Sequence, residues 1–173
     1  MSKLQGKKVA ILLAEGVEDL EFYVPMMRLQ EEGVEVLAAG LDLKPVRGKN
    51  GLVIQAAVTI DSLNPDELSG LILPGGWAPD KLRRYPKVIA LIQAINSANK
   101  VVATICHGGL MAISAQIVKG RRTTGSLGIK DDLVNAGAIW VDESAFRDGN
   151  QVWGRVVADI PNFCRELVAA LSE

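Results

Sequence analysis

The sequence predicts a parallel, doubly wound α/β sheet with helices on both faces. Short apolar runs rich in β-branched residues alternate along the chain with segments whose apolar residues recur at helical spacing. The chain has 173 residues, of which 49% are hydrophobic, which suffices for one domain with a substantial core but not for two ordinary ones. We therefore expect a single domain over residues 1–173.

The first part of the chain predicts two parallel strands, a helix and a hairpin. Residues 8–14 and 34–39 are almost continuously apolar, which indicates strands covered on both faces. Between them, residues 20–32 predict a helix in which Pro25 introduces a kink or lies in the first turn. The apolar positions at helical spacing are Leu20, Tyr23, Val24 and Met27. Residues 49–51 separate two short extended pieces, which predicts a small β-hairpin excursion from the main sheet.

The middle of the chain predicts two further buried strands, at residues 70–74 and 101–105, with a helix over 86–98 between them. Residues 75–80 are the predicted exit loop of the first of these strands. A helix over 110–118 follows the second.

The last part predicts a short helix over residues 129–136 and then short strands at 138–141, 144–147 and 151–155. A final amphipathic helix is predicted from Asp159 to Leu171. The regular alternation of strands and helices supports the doubly wound fold.

One predicted turn carries a candidate nucleophile. The strand at 101–105 stops at Cys106, and His107 and two glycines follow before the next helical pattern. A thiol there lies at a helix N-terminus, where partial positive charge and unpaired N–H groups favour the thiolate. The alternative is that Cys106 is a small buried hydrophobic residue.

Three predicted loops at one edge of the sheet favour the catalytic interpretation. Residues 15–19, 75–80 and 106–109 each follow a predicted parallel strand, and the carboxyl ends of such strands meet at one edge. Carboxylates, a glycine pair and a thiol can therefore converge there.

Each loop supplies a candidate for thiol chemistry. The backbone N–H groups of Gly75, Gly76 and His107 are candidate donors to an oxyanion. Glu18 is the candidate carboxyl partner of the sulfur, where it would stay protonated and donate a hydrogen bond to the thiolate. The simpler alternatives are that the glycines form an ordinary turn, that the acids at the start of the helix interact with its dipole, and that the histidine is structural.

The residue types of the chain argue against two kinds of site, an amidotransferase-type catalytic site and a metal site. His107 is the only histidine, so the chain lacks the downstream histidine and carboxylate of glutamine-amidotransferase-type thiol hydrolases. Because consecutive side chains usually point apart, we do not expect its ring to reach the sulfur in the simplest geometry. Trp77, Trp140 and Trp153 are expected in the core or at interfaces. The sequence shows no metal-ligand cluster, and we expect no metal.

The net charge of −1, without any block of like charge, argues against nucleic acid or an anionic membrane as partner. No apolar run approaches the roughly 20 residues that a membrane span needs. The two cysteines and a start without a secretory apolar region favour a reducing cytoplasm.

Four motifs, in order along nearly the whole chain, resemble the DJ-1/PfpI superfamily and more closely its PfpI-like branch. They are Glu18-Asp19-Leu20-Glu21 with Pro25, Leu73-Pro74-Gly75-Gly76-Trp77-Ala78-Pro79-Asp80, Ile105-Cys106-His107-Gly108, and Ile129-Lys130-Asp131-Asp132-Leu133. The resemblance implies a flavodoxin-like sandwich of the class I glutamine-amidotransferase-like type, without a cofactor, assembled as homodimers or homohexamers. It implies Cys106 as nucleophile, Glu18 as its carboxyl partner, and Gly76 and His107 as oxyanion donors.

Three positions depart from the family pattern. In peptidase-like members the histidine matching His107 pairs with an acid of a neighbouring subunit, and the matching position here is Asp80, one methylene shorter than the usual glutamate. Gly109 replaces a usual proline, and Ser126 stands where a tyrosine is often found.

The resemblance implies a cysteine-dependent hydrolase or deglycase, of the glyoxalase III-like kind, that acts on carbonyl-modified substrates in stress protection. Its substrates would be small carbonyl compounds or glycated proteins, and nucleic acid only as a glycated substrate. A PfpI-type peptidase ranks lower because of Asp80 and the missing tyrosine. A different class of function is an oxidation-sensing or chaperone-like oligomer, in which Cys106 reports oxidation.

Overall fold

Seven strands form the central sheet of the computed structural model, which describes residues 4–173. The strands in this part of the chain are β1 (Lys8–Leu13), β2 (Glu35–Gly40), β3 (Val46–Arg47), β4 (Val53–Ile54), β5 (Val58–Thr59), β6 (Gly70–Leu73), β7 (Val101–Ile105), β8 (Arg122–Thr123), β9 (Ile139–Trp140), β10 (Ala145–Asp148) and β11 (Gln151–Gly154). The α-helices are α1 (Asp19–Glu31), α2 (Ala78–Leu82), α3 (Pro86–Ser97), α4 (Gly109–Ser114), α5 (Lys130–Asn135) and α6 (Ile160–Leu171).

The sheet has the strand order β10-β11-β7-β6-β1-β2-β5, and only the β10–β11 pair is antiparallel. The chain moves through α1 from β1 to β2, and in the opposite direction through α3 from β6 to β7. Right-handed crossovers in opposite directions place α1 and α6 on one face and α3 and α4 on the other. The predicted doubly wound sheet is therefore confirmed, with its switch point between β1 and β6.

The predicted strands and their connections are largely confirmed. The hairpin of β3 and β4 stands outside the main sheet, with the turn around residues 49–51 between its strands. Val88, Leu91, Ile92 and Ile95 form the buried face of α3. β9, however, pairs with β8 in a separate two-stranded sheet and so does not extend the main one.

Two predicted boundaries are wrong. The segment at 75–80 is only partly a loop, because α2 begins at Ala78. The helix predicted over 110–118 ends at Ser114, and Gln116 adopts a left-handed conformation with φ 59° that a helix cannot contain.

Helix α1 buries a different face from its most regular apolar stripe. Phe22, Pro25 and Leu29 are buried, whereas Leu20, Val24 and Met27 are exposed, Met27 to 59%. Pro25 lies inside the helix and not in its first turn.

Among residues 4–173, no helix combines the length and the apolar character that crossing a bilayer demands.

Candidate active site

The predicted sharp turn after β7 is present and strained. Cys106 has φ 59°, a left-handed conformation that is unfavourable for any residue with a Cβ, and it opens a 3₁₀ turn over Cys106–Gly108 that runs into α4. β7 lies beside β6, so the thiol stands next to the loop that follows Leu73. The sulfur lies at the end of a buried strand but faces an open cavity of about 420 Å³.

Gly108 lets the turn pack against β6. A Cβ at this position would lie 2.1 Å from the carbonyl oxygen of Leu73, a distance that no side chain can accept.

We expect Gly108→Ala to lower the free energy of unfolding by at least about 2 kcal/mol, because the backbones of the turn and of β6 must move apart. Urea unfolding followed by circular dichroism measures the change. The control is Gly128→Ala, whose added Cβ would meet the Nε2 atom of His107 at an ordinary 3.4 Å. Equal losses in the two variants would contradict the proposed close contact.

The carboxyl partner of the sulfur is Glu21 and not Glu18. The Glu21 carboxyl shares a hydrogen bond with the Cys106 thiol, and its Oε2 atom accepts the N–H of Gly75 at 2.7 Å. Glu18 caps α1, accepting a hydrogen bond from Leu20, and it also lines the cavity. The prediction for Glu18 was therefore wrong by one helical turn, because both acids lie on the same face of α1.

Two of the three predicted oxyanion donors face the sulfur. The backbone N–H groups of His107 and Gly76 both donate toward the Cys106 sulfur. Gly76 has φ 77°, and a Cβ there would lie 2.4 Å from the backbone nitrogen of Glu18, so only glycine fits. Gly75 does not contribute as predicted, because its N–H donates to Glu21.

The ring of His107 reaches the sulfur, contrary to the expectation from its position. Its Nδ1 atom lies 3.3 Å from the Sγ atom of Cys106. The left-handed backbone of Cys106 brings these consecutive side chains together, whereas an extended backbone would direct them apart. Burial, and the charge of Lys49, lower the pKa of His107, so the neutral ring is favoured.

Glu21 and Cys106 titrate as a coupled pair. Burial raises the pKa of Glu21 to about 7, and burial together with the charge of Glu21 raises the pKa of Cys106 to about 12. The expectation that this turn favours the Cys106 thiolate is therefore corrected, because the pKa of the thiol is raised and not lowered. Near neutral pH the pair releases one proton and keeps the other between oxygen and sulfur. The N–H groups of His107 and Gly76 oppose the rise in the pKa of Cys106, because they are placed to stabilise negative charge on its sulfur.

The three positions that depart from the family pattern lie at different distances from the chemistry. Ser126 lines the cavity, and its hydroxyl accepts the N–H of Gly128 at 3.3 Å. Gly109 begins α4 behind the sulfur. Asp80 is exposed on α2 and forms an ion pair with Arg84, which lies just beyond the end of that helix.

Sequence reasoning also missed Trp77 and Lys49, which line the cavity. Trp77, expected in the core or at an interface, is 63% exposed and lies at the cavity mouth. Lys49 reaches the same cavity from the β3–β4 hairpin, and its Nζ atom lies 3.9 Å from Glu18. The only signal in the sequence was the turn at 49–51, which does not show where the hairpin folds. Among residues 4–173, no cluster of histidine, cysteine or acidic residues has the arrangement of a metal site.

The chain is similar to known proteins over nearly its whole length. The model of the DJ-1/PfpI family matches residues 7–170. Over 164 residues the chain is 43% identical to a protein named deglycase PH1704 from Pyrococcus horikoshii, with 95% of this chain and 99% of that protein covered. General stress protein 18 from Bacillus subtilis is 35% identical, with 97% of this chain and 99% of that protein covered.

A solved structure has the same fold. It is a two-domain protein from Anabaena variabilis with DJ-1/ThiJ/PfpI-like and ferritin-like domains, superposed with a TM-score of 0.93 at 36% identity. The match covers 95% of this chain and 48% of that protein, so the chain spans about half of its length.

Proposed function

The chain belongs to the DJ-1/PfpI family, and from this premise we propose that it is a cysteine-dependent deglycase acting on methylglyoxal- or glyoxal-modified substrates. One observation carries the proposal: the Cys106 sulfur, the Glu21 carboxyl and two backbone N–H donors meet in one open cavity. The name deglycase among relatives at 41–43% identity supports the same substrate class.

The first step uses each of these groups. As the Cys106 sulfur attacks the carbon that carries the hydroxyl of an amine–methylglyoxal adduct, its proton passes to the Glu21 carboxylate. A C–S bond forms, the C–N bond breaks, and the amine leaves with the proton that Glu21 returns. The N–H groups of Gly76 and His107 stabilise the negative charge on oxygen that develops during the reaction.

The remaining steps need only water. A proton moves from the sulfur-bearing carbon to the neighbouring carbonyl carbon, and the hydroxyl proton moves to the former carbonyl oxygen. The first carbon is thereby oxidised and the second reduced, which gives a thioester of lactate. Water then cleaves the thioester and restores the thiol of Cys106. The sum is adduct plus water giving free amine plus lactate, so no cofactor is required.

A second candidate, an oxidation sensor, is favoured by one contact. A carboxyl group hydrogen-bonded to an accessible sulfur can stabilise a sulfinic acid formed there by peroxide, and Glu21 occupies that place. The PfpI-type peptidase ranks below both. That function would need Asp80 beside the His107 of a neighbouring subunit, whereas Asp80 pairs with Arg84.

Turnover separates the two candidates. We expect wild-type protein, incubated with methylglyoxal and with its N-acetyl-lysine adduct, to release many equivalents of lactate per chain. Lactate and free amine are measured, and Cys164→Ser, which alters the buried cysteine of α6, serves as the control with unchanged turnover. Less than one equivalent of lactate, together with a peroxide-dependent mass increase at Cys106, would contradict the deglycase and support the sensor.

A further inference from the structure

The turn between β3 and β4 is fixed tightly to the start of α1. The Asp19 carboxylate accepts the N–H groups of Asn50 at 2.7 Å and Leu52 at 2.9 Å, and Glu18 accepts the side-chain amide of Asn50 at 2.8 Å. The N–H of Lys49 itself donates to the carbonyl oxygen of Val17 at 2.8 Å. These bonds hold the backbone of Lys49 in one place at the rim of the cavity.

The ammonium group of Lys49 stands between the reacting groups and the outside. Its Nζ atom lies 3.9 Å from Glu18 and 5.9 Å from the centre of the Trp77 ring. The side chain of Lys49 is 43% exposed, so a ligand can reach it from solvent. Glu18 lies inside the cavity and takes up one side of that group.

A second cavity of about 560 Å³ continues beyond Trp77 and shares Lys49 with the first. Its charged lining residues are Arg47, Lys49 and Lys81 against Glu15 alone, a surplus of two positive charges. The inner cavity lacks this positive surplus, because Glu18 and Glu21 stand there against Lys49 alone. A negative group of a bound molecule is therefore more favourably placed on the far side of Trp77 than beside Cys106.

We propose that Lys49 and the outer cavity bind a carboxylate at the non-reacting end of the substrate, while Trp77 contacts the segment between this end and the carbonyl group. The inference rests on the proposed function, whose substrate it narrows to carbonyl compounds and adducts with an anionic tail. The positive charge of Lys49 would then face the carboxylate, and the flat ring of Trp77 would face the segment that joins it to the carbonyl group.

The experiment compares two pairs of compounds that differ only in tail charge. N-phenyl-iodoacetamide and 4-(iodoacetamido)benzoate alkylate Cys106 as the sulfur displaces iodide, and they need no turnover. Phenylglyoxal and 4-carboxyphenylglyoxal are the matching substrates. Rate constants are measured for the wild type, Lys49→Met and Lys49→Arg. Lys7→Met is the control, because Lys7 precedes β1 and so lies at the opposite end of that strand from the site.

We expect Lys49→Met to lower the ratio of the charged to the neutral rate about five- to tenfold in both pairs, mainly through KM for the substrates. Lys49→Arg and Lys7→Met should keep the wild-type ratio, and added salt should reduce it in the wild type.

An equal loss on charged and neutral compounds, or an unchanged ratio in Lys49→Met, would overturn the proposal. If the alkylating pair shows the preference and neither arylglyoxal is turned over, the anion site stands and the proposed deglycase function fails.

Discussion

Cys106→Ser is expected to lower the turnover of methylglyoxal adducts at least about 10³-fold, at unchanged stability. A serine hydroxyl fits the same left-handed turn, but its proton is far harder to remove, and the coupled Glu21 is too weak a base to remove it. The hydrogen bonds that hold the site would remain, because the Gly75 N–H still donates to Glu21.

The measurement is lactate release at saturating and at low adduct concentration, with thermal unfolding as a check on the fold. Because Cys164 is the only other cysteine, Cys164→Ser controls for general loss of thiol. Turnover within tenfold of the wild type in Cys106→Ser would rule out the sulfur as nucleophile and leave only the oxyanion donors as the source of rate enhancement.

The wild type is expected to lose about 3 kcal/mol of unfolding free energy as the pH rises from 4.5 to 7, and Glu21→Gln is expected to abolish this loss. The pKa of this buried carboxyl is about 7 in the folded chain, against an ordinary value of 4.5. Between these values the folded state holds a proton that the unfolded state has released, so stability falls as pH rises from 4.5 to 7 and then levels off. The difference of 2.5, from 7 minus 4.5, corresponds to about 3 kcal/mol at roughly 1.4 kcal/mol for each pH unit.

Urea unfolding at pH 5 and pH 8 gives the comparison, taken as the wild type minus the variant so that His107 and other groups cancel. Glu35→Gln is the matched control, because Glu35 is an exposed glutamate that pairs with Lys8 on the surface. If Glu21→Gln loses as much stability as the wild type between the two pH values, the carboxyl is not the buried, protonated group described above.

The sequence was sufficient for the architecture because its signals are strong there. Continuous apolar runs and the glycine after the helix of residues 19–31 leave little choice about β1, α1 and β2. The two-residue strands β5 and β8 carry no such signal, since their pairing is decided by neighbours in the fold.

The choice between the acids was beyond sequence reasoning. Glu18 and Glu21 are three residues apart and share one side of α1, so either satisfies the helical spacing. Which one meets the sulfur depends on how α1 packs on the sheet, and the structure buries Phe22 and Leu29 on the same helix as Glu21. The apolar residues of α1 lie on several sides, and for this reason the periodicity also selected the exposed stripe.

The contact between His107 and the sulfur escaped prediction for a different reason. The rule that consecutive side chains diverge applies to extended backbone, and it fails at a residue with positive φ. The sequence predicts a sharp turn after β7 but not the sign of φ at Cys106.

The order of strands in the sheet also governs when the thiol becomes sheltered during synthesis. β1, β6 and β7 are neighbours in space, yet β6 begins at Gly70 and β7 at Val101, so the surroundings of Cys106 come from chain segments made far apart in time. Contacts of such long sequence separation form late in folding. Val156, Val157 and Ala158 also line the cavity and are made after Cys106, so a nascent chain that ends before them holds the thiol in an unfinished cavity.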